Sequence, residues 1–215
     1  MGKLKKYKGT AIWFLLCNVA LILSTFLHEV GHGFSSWMNG FAVSTGFNRV
    51  GNAYKYPRDI DFRAGFTGGE ILKDIGPAVT LLLALLFTIV FLKKRYANTI
   101  LDRCILALAI SNSIMRLVPA VTVLLRILIT GEGTEDEIQQ GMAWAERLNL
   151  PILTYLFALL SIVVSLICLI LLYTHFKKLR REKIAIPNPS WVWPAYITSF
   201  FILNVLDMYI RINWV

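Results

Sequence analysis

The stretch AIWFLLCNVALILSTFLHEVGH, from Ala11 to His32, decides the fold class of this chain and points to a chemistry. Its first part, Ala11 to Leu27, is an uncharged apolar run long enough to cross a bilayer as a helix. Its last five residues follow the zinc-hydrolase pattern H-E-x-x-H. On a helix the two histidines lie on one face, where both can bind a single Zn²⁺, and Glu29 is left to act on water.

The position of this motif at the end of an apolar run weighs against coincidence. Two histidines and a glutamate at membrane depth are costly unless they have partners or a function. The alternative interpretation is a structural polar cluster. The sequence favours a metal site, with His28 and His32 as ligands and Glu29 as the catalytic residue.

The composition predicts an all-α polytopic membrane protein, because 56% of the 215 residues are apolar and only 16% are charged. We expect a single integral membrane domain over residues 1–215, with about five transmembrane helices and a short β-hairpin-like loop between the first two. The predicted spans are residues 11–37, 75–92, 100–129, 151–173 and 191–210.

Basic residues predict the orientation of these spans, because Lys and Arg are retained on the cytoplasmic side. The amino terminus, the Lys93-Lys94-Arg95 turn and the segment from Lys177 to Lys183 are basic, whereas the connection 131–149 is acidic. We therefore expect a cytoplasmic amino terminus and a motif ~25 Å along the first span, near the outer face. The net charge of +9 reflects this topology and does not indicate a nucleic-acid partner.

A third metal ligand is needed, because a catalytic zinc usually has three protein ligands and one open position. Asp136 is the first candidate, since it lies in the acidic segment that follows the third span on the outer side. Asp207 and Glu137 are the alternatives. Asp207 is ~24 Å from the inner end of the last span, at a depth similar to that of the histidines.

The third span carries polar residues at the depth of the motif. Arg116 lies ~24 Å along this span, Asn112 lies one turn below it, and Pro119 follows. This pattern indicates a polar cavity at that level. Arg116 either stabilises a reaction oxyanion or pairs with an acidic side chain to hold helices together.

Several local sequences resemble the site-2 protease family of intramembrane zinc metalloproteases. The HEVGH motif lies in an early span and is followed by Gly40-Phe41-Ala42-Val43. Gly68-Gly69 then leads through Ile71 to Gly76-Pro77-Ala78-Val79-Thr80, much as an alanine-glycine-proline motif opens a helix in that family. The resemblance covers residues 26–86, about a quarter of the chain.

The resemblance implies one Zn²⁺ per chain, bound by His28, His32 and a later aspartate, with Glu29 as general base. It also implies hydrolysis of peptide bonds in a transmembrane protein substrate within the lipid bilayer. Family members place the aspartate in an Asn-Pro-rich stretch that ends in Asp-Gly. Here Glu137 replaces that glycine, and Asn204-Val205-Leu206-Asp207 imitates only part of the stretch, so the third ligand stays open.

The loop 41–69 alternates polar and aromatic residues and predicts one or two short strands, in Val43 to Phe47 and Asp61 to Phe66. An exposed edge over Phe41 to Phe47 would pair with an unwound substrate by strand addition. The alternative is a plain hairpin whose aromatic residues anchor at the membrane interface, as we expect for Trp214.

Two other functions fit the same residues. One is a metal-binding membrane protein without proteolytic activity, and the other is a zinc hydrolase acting on another membrane substrate.

Overall fold

The computed structural model describes residues 2–52, 75–133 and 135–214, with side chains from residue 9 onward except that of Asn52. The fold is mostly helical, at 79%, with one small three-stranded sheet. The helices are α1 Gly2–Met38, α2 Gly76–Lys93, α3 Ile100–Thr130, α4 Asp136–Leu148, α5 Leu156–Arg181 and α6 Val192–Tyr209. The strands are β1 Val43–Thr45, β2 Val50–Asn52 and β3 Ile212–Trp214.

Four helical segments of the described chain are long and apolar enough to cross a membrane, as expected for a multi-pass membrane protein. They are Gly9–Met38 of α1, α2, α3, and Pro151–Arg181, which includes a 3₁₀ turn before α5. The predicted number of five is not confirmed. The fifth predicted span forms α6, which is as long as α2, but the polar Asn204 and Asp207 reduce its apolar character.

Helix α2 is built for close packing. Pro77 lies in the first turn of α2, where a backbone N–H would have no intrahelical acceptor, so the N–H that proline lacks costs no hydrogen bond. Its buried face then places Thr80, Ala84 and Thr88 four residues apart. A Cβ on Gly31 of α1 would lie 2.9 Å from the Gly76 Cα, so the two helices touch backbone to backbone beside the histidines.

Helix α3 lies at the centre of the bundle and packs against α1, α2 and α5. It begins with a capping box, in which Thr99 Oγ1 accepts from the Asp102 N–H and the Asp102 carboxylate accepts from the Thr99 N–H. It runs without a break through Pro119 and ends at Gly131, which has a φ of 77°.

The acidic connection 131–149 contains a helix that the sequence analysis did not predict. Helix α4 begins with Asp136 and Glu137, whose negative charges interact favourably with the amino-terminal end of the helix dipole. Arg147 lies in its last turn, where a positive charge is favourable. A Cβ on Gly141 would lie 2.2 Å from the Thr154 carbonyl oxygen, so the glycine allows α4 to rest directly on the 3₁₀ turn before α5.

The sheet corrects the expectation for the loop after α1. Its order is β2-β1-β3, with both pairings antiparallel and Val43 opposite both Asn52 and Trp214. The strand expected to offer an exposed edge is therefore central, because the chain's carboxyl-terminal strand occupies its second side. Trp214 Nε1–H donates to Thr45 Oγ1 at 2.9 Å. The predicted strand 61–66 and Gly68-Gly69 lie outside the described residues.

Candidate metal centre

The two histidines of the motif and Asp136 meet in the interior. His28 and His32 are one turn apart on α1, with 4% and 2% of their surface exposed, and their Nε2 atoms are 3.0 Å apart. Asp136, the first residue of α4, brings its Oδ2 to 3.2 Å from the His28 Nε2 and 3.1 Å from the His32 Nε2. Among the described residues these three side chains form a group able to hold a metal ion.

The spacing of the three ligand atoms fits a small divalent cation. Nitrogen and oxygen ligands at 2.0–2.1 Å around a tetrahedral zinc lie roughly 3.3–3.4 Å apart. The three separations of 3.0–3.2 Å are close to that value. A pair of imidazoles and one carboxylate is also a donor set that zinc accepts in hydrolytic sites.

A contact with α2 bears on which nitrogen of His28 carries a proton. The Thr80 hydroxyl donates to the Gly76 carbonyl oxygen at 3.1 Å, and its Oγ1 lies 3.1 Å from the His28 Nδ1. When the hydroxyl donates to this carbonyl, the His28 Nδ1–H is the donor to Thr80. The neutral ring then has an unprotonated Nε2 facing His32 and Asp136, as a metal ligand requires.

Two further features of the site are the space that Gly76 leaves for the His32 ring and the charge of the Asp136 carboxylate. A Cβ on Gly76 would lie 2.5 Å from the His32 Nε2, so only glycine leaves the histidine its position. Burial opposes ionisation of Asp136, but positive charge and a hydrogen bond from His32 hold the pKa of its carboxyl well below its ordinary value. The carboxylate is therefore anionic.

The group of His28, His32 and Asp136, called the triad below, opens onto a cavity of about 390 Å³ between α1, α3, α6 and the start of α4. His28, Glu29 and Asp136 all line it, so Glu29 and the ligand group share one space. Helix α6 closes part of the cavity with Tyr196, Ser199, Phe200 and Leu203. Glu29 is half-buried, which suits a carboxylate that exchanges protons with water in the cavity.

The polar residues of α3 take different positions. Arg116 lines the same cavity as the triad, and its Nη1 also donates to Glu137 Oε1 at 3.1 Å. The Arg116 Nε is buried without a partner among the described residues. Asn112 is buried one turn away, where its Nδ2 donates to the Leu108 carbonyl, and it is not part of the cavity lining.

The two alternative third ligands have other partners. Glu137 Oε1 accepts from Arg116 and from the Ser161 hydroxyl. Asp207 forms an ion pair with Arg49, and its Oδ1 accepts from the Asn48 N–H at 3.2 Å. Neither belongs to the metal-ligand group, so the structure brings Asp136 alone of the three carboxylates to the histidines.

Sequence reasoning assigned no role to Thr80 or to the cavity face of α6. Thr80 stands four residues after Gly76, and that spacing could have indicated a side chain level with the histidines once α1 and α2 were known to touch. Tyr196 and Ser199 carry no local signal, since their position depends on how α6 packs against α1.

Comparison with known proteins leaves the geometry as the basis for a functional proposal. No protein-family model matches the chain, no curated protein matches its sequence, and no solved structure matches its fold.

Proposed function

We propose that this protein is an intramembrane zinc metalloprotease, similar in its chemistry to the site-2 protease family. The observation that carries the proposal is the convergence of His28, His32 and Asp136 beside a cavity that Glu29 also lines. Three ligands of this type with an adjoining open space are typical of catalytic zinc sites. Structural zinc sites usually have four protein ligands, which disfavours a metal-binding protein without catalysis.

The side chains divide the work of peptide hydrolysis. His28, His32 and Asp136 would hold one Zn²⁺, which when bound lowers the pKa of water and polarises the scissile carbonyl. Glu29 takes the proton from the attacking water and later delivers it to the leaving amine. Thr80 keeps the His28 ring in the ligating tautomer throughout.

Arg116 is the residue we assign to the carbonyl oxygen of the substrate. It lines the reaction cavity together with His28 and Asp136. Its ion pair with Glu137 fixes the guanidinium in place, so the same residue also links α3 to α4. A preorganised donor of this kind stabilises the negative charge that develops on the oxygen.

The membrane arrangement we propose has five spans, with α6 as the fifth, a cytoplasmic amino terminus and the metal centre near the outer face. Support comes from the opposite end of the bundle, where the start of α1, the start of α3 and the α5–α6 connection come together. Trp13 Nε1–H donates to the Asn188 carbonyl oxygen at 2.8 Å, and Thr10, Arg103 and Ile186 line a shared cavity. The basic segments of the chain are next to these residues in sequence and therefore lie near the same end of the helix bundle.

A helical transmembrane substrate must be unwound before its amides are accessible. Since β1 has a neighbour on each side, strand addition to this sheet would use the outer edge of β2 or of β3. A proline substitution in β3 therefore tests substrate pairing at an edge, whereas one in β1 disrupts the sheet itself.

The experiment that tests the proposal combines metal content with turnover. Purified wild type should contain one zinc per chain and hydrolyse members of a mixed library of apolar fluorogenic peptides. His28→Ala and Asp136→Ala should lose both the zinc and the turnover. Folded wild type without zinc after zinc is resupplied would contradict the proposal, and zinc binding without hydrolysis of any peptide would favour a hydrolase acting on another membrane substrate.

A further inference from the structure

A cavity of about 280 Å³ lies at the end of the helix bundle opposite the metal centre, between the start of α1, the start of α3 and the connection from α5 to α6. Among the described residues that line it, Arg103 is the only cationic side chain, and there is no Asp or Glu. Asn98 lies beside Arg103 in the polar part of the wall, and Trp13 and Trp191 form part of the rest. The lining therefore gives this cavity a net positive charge.

Arg103 forms no ion pair with a carboxylate in the described part of the chain. Its neighbour Asp102 pairs with Lys94 at 2.7 Å. Asn98 Oδ1 accepts from the Arg103 Nε–H at 3.0 Å and from the Tyr96 hydroxyl at 3.2 Å, so the amide keeps its Nδ2 as a donor. The Nη groups of Arg103 and the Nδ2 of Asn98 have no partner among the described residues and are not enclosed by protein.

These donors indicate an anionic ligand that contains a phosphate group. A guanidinium binds phosphate oxygens through two parallel N–H donors, and a neighbouring amide N–H can add a third. A cation has no carboxylate to pair with among the described lining residues. A phosphate group needs roughly 150 Å³, at about 30 Å³ for each heavy atom, so it fits the cavity.

The depth of the cavity indicates that this phosphate belongs to a lipid. Two candidate membrane spans begin beside the cavity, at Gly9 and Ile100, and a third ends at Arg181, shortly before the connection that lines it. Lipid phosphates lie just beyond the ends of membrane-spanning helices. Trp191 is 39% exposed and packs edge-on against Phe14, with ring centroids 5.9 Å apart, as is typical of a tryptophan at the membrane interface.

The surface around the cavity favours an anionic lipid over a zwitterionic one. The basic segments 93–95 and 177–183 lie at this end of the bundle and attract anionic lipids. A zwitterionic headgroup would bring an ammonium group next to Arg103, where like charges repel. Ile12, Ile100 and Leu101 are 42%, 64% and 56% exposed and offer an apolar surface to the acyl chains.

We infer that this cavity binds the phosphate group of an anionic phospholipid. Arg103 and Asn98 donate to the phosphate oxygens, and the acyl chains lie against Ile12, Ile100 and Leu101. The site is independent of the hydrolytic chemistry proposed above, and it shares no lining residue with the cavity of the metal centre.

Equilibrium binding of phosphatidylglycerol, labelled with a fluorophore on one acyl chain, tests the site in protein purified in an uncharged detergent. Fluorescence anisotropy should show saturable binding. Phosphatidylcholine with the same label should bind about tenfold more weakly, because its ammonium group is repelled by Arg103. Equal binding of the two lipids to wild type would overturn the charge selection whatever any variant does, and an absence of saturable binding would overturn the site.

Soluble glycerol phosphate separates a lipid phosphate from a free phosphate ester. It carries the phosphate without acyl chains, so it should displace the labelled lipid only at a concentration about a hundredfold higher than unlabelled phosphatidylglycerol requires. Displacement by both compounds at the same concentration would show that the site serves a soluble phosphate ester and would overturn the lipid assignment.

Two arginine variants supply the matched control. Arg103→Gln should weaken the binding of phosphatidylglycerol about tenfold, because it removes a charged donor from the cavity. Arg95→Gln removes the same charge from an exposed residue at the same end of the bundle and outside the cavity lining, so it should leave the affinity unchanged. Equal weakening by both variants would show a general attraction to the basic surface and would overturn the cavity as the binding site.

Discussion

Replacing Thr80 by valine removes one oxygen atom from the metal centre and preserves the shape of the side chain. Thr80 is completely buried, and its Oγ1 lies 3.1 Å from the His28 Nδ1, where we expect it to accept the Nδ1–H. In Thr80→Val the neutral His28 ring can adopt either of two tautomers. It either leaves Nδ1–H unpaired in the interior or moves its proton to Nε2, where the proton blocks metal binding.

The size of the effect follows from the cost of that unpaired group. A buried donor without a partner costs about 1–3 kcal/mol, and each 1.4 kcal/mol is tenfold in affinity. Zinc should therefore bind Thr80→Val roughly 5- to 150-fold more weakly than wild type, a range that agrees with the loss typical of outer-shell partners. Thr80→Ser keeps the hydroxyl and should restore most of the affinity.

The assay is competition for zinc with a chromophoric chelator, and Thr88 supplies the matched control. Thr88 lies two turns along the same helix, is 1% exposed and has no hydrogen-bond partner for its Oγ1 among the described residues. Thr88→Val should leave the zinc affinity unchanged. If Thr80→Val binds zinc as tightly as wild type, the tautomer argument is wrong. Nitrogen-15 shifts of the metal-free His28 ring report the proton position independently of zinc.

Three further predictions concern the same site. Glu29→Gln should retain one zinc per chain and lose turnover, since the amide cannot accept the proton; loss of the zinc as well would show that Glu29 is a ligand. Gly76→Ala should abolish zinc binding, because its Cβ would lie 2.5 Å from a ligating histidine nitrogen, whereas Gly9→Ala, which meets no atom within 4 Å, should not; the zinc content of the two proteins decides this. Asp136→Asn should lose zinc, whereas Asp207→Asn should keep it and lower the melting temperature, because the buried Asp207 carboxylate pairs with the partly exposed Arg49; zinc loss in both variants would contradict the geometry.

The features predicted well from sequence are those encoded within one element. The apolar run before His28 gave the first membrane helix, and the spacing of His28 and His32 placed both rings on one face. Gly76-Pro77 marked the start of α2 correctly, because proline is favoured in the first turn whatever the tertiary structure. Local chemistry was sufficient in each case.

The features that were missed depend on contacts between distant segments. Strand β3 joins β1 from the far end of the chain, so no local pattern near Val43 shows that its second edge is occupied. Helix α4 is amphipathic, a local pattern that a search for long apolar membrane spans does not detect, and its close contact at Gly141 is a tertiary property. The packing of α6 against α1 is likewise a tertiary property.

Which of the two carboxylates, Asp136 or Glu137, faces the histidines depends on the position at which α4 begins. Successive residues of a helix point about 100° apart, so neighbouring carboxylates at the start of α4 serve different neighbours. Asp136 faces the two histidines of α1, whereas Glu137 meets Arg116 of α3 and Ser161 of α5. The ion pair of Glu137 therefore fixes the rotation of α4 that directs Asp136 to the histidines. A shift of α4 by one residue would put Glu137 or Glu135 in the place of Asp136, and the sequence alone contains no signal that sets this register.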